Sequence, residues 1–120
     1  MGHMWLGNIC SIEWWNDLYI KEGFDEYICH LALEYLVEQC EPGTWPFENR
    51  IWANLWMRGS EGLKIDLLCE NGNHPLCNMA DSDKDLIQYY GPCTYRKGSL
   101  VARHMSHLFG LDVFKACMAK

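Results

Sequence analysis

The pair Asn71-Gly72, past the middle of the chain, is the feature that most limits the fold. Both residues accept the positive φ of a two-residue hairpin turn, so the flanking segments are expected to pair as antiparallel strands. Lys64 to Cys69, rich in Ile and Leu, forms the incoming strand, and His74 opens the return strand. Asp81 to Lys84 reads as a polar loop. Two further short runs, Ile87 to Tyr90 and Cys93 to Arg96, flank Gly91-Pro92 and read as strands.

Before that turn the apolar residues keep helical spacing. Ile12, Trp15, Leu18 and Tyr19 share one face of a first helix, Cys10 to Tyr19. Lys21-Glu22-Gly23 reads as a break. Asp25 caps a second helix that runs to Cys40 and buries Ile28, Leu31, Ala32, Tyr35 and Leu36, and Glu41-Pro42-Gly43 ends it. Thr44 caps a third, with Pro46 in its first turn, that carries Ile51 and Leu55 and stops near Gly59. After the extended region, Ser99 caps a closing helix, Leu100 to Phe109. Gly110 breaks it, and Asp112 restarts a short final one. The expected class is α+β: an N-terminal helical half, a small antiparallel sheet and a closing helix.

A chain of 120 residues holds one domain. Met1-Gly2-His3-Met4 reads as a remnant of cloning, which leaves residues 5–120 as that domain. Apolar residues make up 49%, so the chain buries a core, in which Trp14, Trp15, Trp45, Trp52 and Trp56 are expected. A net charge of −6 argues against a nucleic-acid partner, because phosphate contacts need clustered cations. No apolar run approaches the roughly 20 residues that span a bilayer, so no membrane partner is expected. Seven cysteines with no signal-peptide pattern imply reduced thiols in the cytoplasm.

Cys10 opens its helix. Unpaired N–H groups and the helix dipole at such a position favour thiolate over thiol. His74 is the candidate general base, so the two make a nucleophile–base dyad. The Cys10 N–H and the Asn8 side chain are candidate oxyanion donors, and Asn78 or Asp81 could orient the imidazole. Cys29 lies mid-helix and reads as core. His104 and His107 lie on the closing helix, at the edge of any cleft. No cofactor is required. Two alternatives stay open. Cys69, His74 and Cys77 are spaced C-x4-H-x2-C, and with Cys93 they could form a small zinc site. The acidic, tryptophan-rich surface also suits a non-enzymatic effector or accessory protein that binds a host protein.

The order of these features resembles the papain-like leader cysteine proteases of plant and fungal RNA viruses. It is most similar to the C-terminal protease domain of the potyviral helper-component proteinase. The resemblance rests on Gly7-Asn8-Ile9-Cys10 before a helix, on Gly43-Thr44-Trp45-Pro46, on His74 opening a strand, and on Lys97-Gly98-Ser99 entering the last helix. It implies a papain-like fold and a cysteine endopeptidase that frees itself in cis from a viral polyprotein. Its substrate would be that polyprotein, in the host-cell cytoplasm.

Overall fold

The computed structural model describes residues 2–44, 50–68, 74–77 and 82–119. Among these residues five helices follow in order: α1 (Leu18–Glu38), α2 (Ile51–Leu67), α3 (Asp83–Tyr89), α4 (Pro92–Phe109) and α5 (Leu111–Met118). Short 3-10 turns at Gly2–Met4 and Trp15–Asp17 precede α1. Among the described residues there is no strand, only an isolated bridge between Leu6 and Cys10. No helix there is long and apolar enough to cross a membrane.

The α+β expectation, and with it the papain-like division into helix and sheet, is therefore corrected to a bundle that is helical throughout the described residues. Lys64 to Leu67 is the last turn of α2, Ile87 to Tyr89 belongs to α3, and Cys93 to Arg96 is the first turn of α4. Runs of three or four residues are too short to distinguish period 2 from period 3.6. Pro92, read as part of a turn between strands, opens α4, where its missing N–H is no loss. Residues 69–73, with the Asn-Gly turn, lie outside the described residues, as do Trp45 and Pro46.

Helix α1 runs straight through Lys21-Glu22-Gly23. Gly23 is retained in the helix because it faces Gly98 of α4: a Cβ at Gly23 would stand 2.4 Å from the Gly98 Cα. With no side chain at either position, the two backbones touch, and α1–α4 is the most extensive helix pair in the fold. Helix α2 packs on another flank of α4, and Gly110 (φ +87) turns α5 back toward α1. The apolar core gathers Phe24, Tyr27, Leu55, Ala102 and Phe114. Phe114 lies edge-on to Tyr27 with ring centres 5.6 Å apart, and the Tyr27 and Ser106 hydroxyls share a buried hydrogen bond.

Candidate active site

The side of α1 that faces Tyr95 of α4 is acidic. Glu22, Asp25 and Glu26 are spaced i, i+3 and i+4, which puts the three carboxylates on one face. That face is turned inward. Glu22 is only 2% exposed and Asp25 8%. Charged groups are rarely buried this far without partners. Lys21 Nζ stands 3.2 Å from Glu22 Oε1, and Arg58 of α2 stands 3.4 Å from Glu26 Oε1. One oxygen of each carboxylate, Glu22 Oε2, Asp25 Oδ1 and Glu26 Oε2, is buried without a hydrogen-bond partner.

The N-terminal turn brings His3 onto this face. Its Nε2 lies 3.0 Å from Glu22 Oε2 and 3.5 Å from Asp25 Oδ2. Its Nδ1 lies 3.2 Å from the Leu6 carbonyl oxygen, which can only accept, so Nδ1 carries a proton. In the neutral ring, Nε2 then points a lone pair at a carboxylate oxygen. That arrangement is repulsive unless Nε2 is protonated as well or a cation lies between the two atoms.

Tyr95, in the first turn of α4, completes the cluster. Burial first, then a hydrogen bond to Glu22 and the charge of that carboxylate, push its phenol well above the ordinary tyrosine range. The phenol therefore keeps its proton. Asp25 is also raised, chiefly by burial and further by Glu22 and Glu26, with His3 and the amino terminus opposing. A cavity of about 640 Å³ runs along this wall, from Glu22 past Asp25, Glu26 and His30 to Leu33, with Tyr95 and Arg96 on its α4 side.

The residues expected to carry cysteine chemistry are not brought together. Cys10 is exposed, eight residues before α1 begins at Leu18. Its N–H donates to the Trp5 carbonyl at 2.9 Å and is not free to hold an oxyanion. Asn8 is exposed in the same turn, and Asn78 and Asp81 lie outside the described residues. His74 sits at the far end of α2: its N–H donates to Asp66, its carbonyl accepts from Lys97 Nζ at 2.6 Å, and its ring meets Tyr89 edge-on. No described contact joins Cys10 to His74.

The zinc alternative fares no better. Cys77 Sγ approaches Asp17 at 3.8 Å, Cys93 Sγ is buried against the Gly62 carbonyl, and Cys69 lies outside the described residues. His104 and His107 are exposed on α4. Cys29, expected in the core, is half-buried and lines the acidic cavity beside His30.

Comparison with known proteins decides the family. The model of the peptidase family M1 domain matches residues 1–120. The chain belongs to peptidase family M1. It is 33% identical over 122 residues to human aminopeptidase N and 32% identical over 122 residues to the rabbit protein of that name. To aminopeptidase M1 of Arabidopsis thaliana it is 29% identical over 119 residues. Each alignment covers 99% of this chain and 12% of the relative, so the chain spans about one-eighth of the length of these relatives. No solved structure matches. The M1 match overturns the likeness to viral leader proteases, and with it the cysteine endopeptidase, the self-cleavage and the polyprotein processing.

The sequence offered little that pointed to the acidic cluster. His3 fell among the residues set aside as a cloning remnant, and Glu22 fell in the segment read as a break. The available signal was the i, i+3, i+4 run of carboxylates, Glu22, Asp25 and Glu26, on a stretch whose neighbours Phe24 and Tyr27 are large and apolar.

Proposed function

We propose that this chain forms one wall of the active site of a metal-dependent M1 aminopeptidase, with His3 and Glu22 as two of the metal ligands. The observation that supports this reading is the pairing of His3 Nε2 with Glu22 Oε2. The two atoms are 3.0 Å apart, the ring is anchored through Nδ1, and the oxygen lacks a hydrogen-bond donor. Donors about 2.0–2.2 Å from one zinc ion lie about 3–3.5 Å from each other, so the pair fits two adjacent positions of a zinc shell. Catalytic zinc sites use about three protein ligands. No group of three or more His, Cys, Asp or Glu among the described residues is set to hold a metal ion, so the remaining ligand is not assigned to a described residue.

When bound, such a metal supplies Lewis-acid polarisation of the scissile carbonyl. The other roles belong to this chain's own residues. The Leu6 carbonyl fixes the His3 tautomer and its ring orientation. Lys21 holds the second oxygen of Glu22 and limits rotation of the carboxylate. Tyr95, kept protonated beside Glu22, donates its O–H toward the oxygen on which charge develops.

Titration of the full chain with Co²⁺, followed by visible absorption, tests the metal reading. About one equivalent is expected to bind, and His3→Ala or Glu22→Gln should each abolish the signal. Equal binding by the wild-type chain and the double variant would overturn the reading and leave His3 as a protonated partner of Glu22.

A further inference from the structure

The charges around the cavity do not cancel. Lys21 pairs with Glu22, Arg58 with Glu26, and Arg96 with Glu61 at 2.5 Å. Asp25 alone has no lysine or arginine among its described contacts. Its one ion-pair contact is His3, at 3.5 Å, and the chain's amino terminus adds a second, weaker opposing charge. Asp25 is 8% exposed, lines the cavity and leaves Oδ1 without a donor, and the adjoining Glu26 leaves Oε2 in the same state. A buried acceptor left unpaired is costly. Two such acceptors on one wall of a cavity suit a ligand that brings N–H donors and positive charge.

Position along the helix indicates which part of a substrate this is. From Glu22 to Glu26 is four residues, or about 6 Å of rise. An extended lysine side chain covers about the same distance from Cα to Nζ. A peptide whose first carbonyl lies at Glu22 and Tyr95 would thus carry the end of a long first side chain to Asp25 and Glu26. The cavity continues beyond, to Leu33. We propose that Asp25 and Glu26 form a recognition site for a cationic side chain, that of an N-terminal lysine or arginine, one helical turn beyond Glu22. This selectivity rests on the aminopeptidase reading for its substrate, and its test does not depend on turnover.

The test compares L-lysinamide with L-norleucinamide, which has the same carbon chain without the ε-amine. Binding of each to the full chain is measured by calorimetry without added metal. Lysinamide is expected to bind at least tenfold more tightly. Glu26→Gln should cut that preference severalfold, and Asp25→Asn with Glu26→Gln should erase it. Circular dichroism of each variant checks its fold, and the single Glu26→Gln change keeps the test open if the double variant does not fold. Equal binding of the two amides, or a preference that survives both substitutions, overturns the proposal. So does a loss of Co²⁺ binding in Asp25→Asn, because Asp25 would then belong to the metal shell. If lysinamide is preferred but no Co²⁺ binds, the recognition site stands and the metal reading falls.

Discussion

Asp25 on α1 and Asp66 near the end of α2 are both buried carboxylates, and they sit in opposite circumstances. Asp66 is saturated. Lys97 Nζ donates to Oδ2 at 2.9 Å, the His74 N–H donates to Oδ1, and Lys97 also donates to the His74 carbonyl. The hydrogen bond from Lys97 holds the Asp66 carboxyl below the usual range, against the effect of burial. Asp25 has one long contact to His3 and a bare oxygen, and burial holds its carboxyl above the usual range. The first arrangement stabilises a fold. The second stores unmet demand at a cavity, which is what a binding site requires. The two shifts have opposite signs, and they separate a clamp from a site more clearly than burial does.

Both regions depend on α4, and the largest expected effect tests that shared support. Gly23→Ala would drive a methyl against the Gly98 backbone and should cost about 3 kcal/mol in urea unfolding. A change below about 1 kcal/mol would mean that the α1–α4 contact is looser than described. Next, Lys97→Met leaves Asp66 without its cation and should cost about 2 kcal/mol. The same change should leave lysinamide affinity unaltered if clamp and site are independent.

The smallest effect carries the sign. The folded pKa of Asp66 is depressed. Its stabilisation is therefore complete above the unfolded value near 3.8 and is lost as pH falls through the lower folded value. Asp66→Asn should flatten the acid limb of the stability–pH curve. The folded pKa of Asp25 is raised, so its favourable contribution is complete below 3.8 and is lost as pH rises through the folded value. Asp25→Asn should leave stability at pH 7 unchanged, or raise it by about 0.5 kcal/mol. A clear loss at pH 7 would place Asp25 with the clamps.

The helical elements were partly legible. The apolar spacing of Ile28, Leu31 and Tyr35 lies within α1, and α4 ends at Phe109 with Gly110 as its break. The second half misled because Ile87 to Tyr90 and Cys93 to Arg96 are too short to reveal a period. Gly23 misled for a different reason. A glycine inside a helix reads as a breaker until the opposing Gly98 is known, and that pairing is not local in sequence. The site was the least legible part. Along α1, Glu22 is buried while Tyr35 and Leu36 are exposed, which inverts the rule used to find helix faces. Leu67 and Leu68 at the end of α2 are about 80% exposed, a further inversion. Cys10 drew attention through an expected helix start that the structure places at Leu18 instead.

The contact of Gly23 with Gly98 has one further consequence. Gly23 adjoins Glu22, and Gly98 lies three residues after Tyr95. Where main chain meets main chain, spacing is set by atoms that every amino acid shares. The interval between Glu22 and Tyr95 is thus held by a gauge block with no side chain to wear or repack. Substitutions elsewhere on α1 and α4 can accumulate without widening that interval, and what the cavity accepts can drift separately from the distance at which it works.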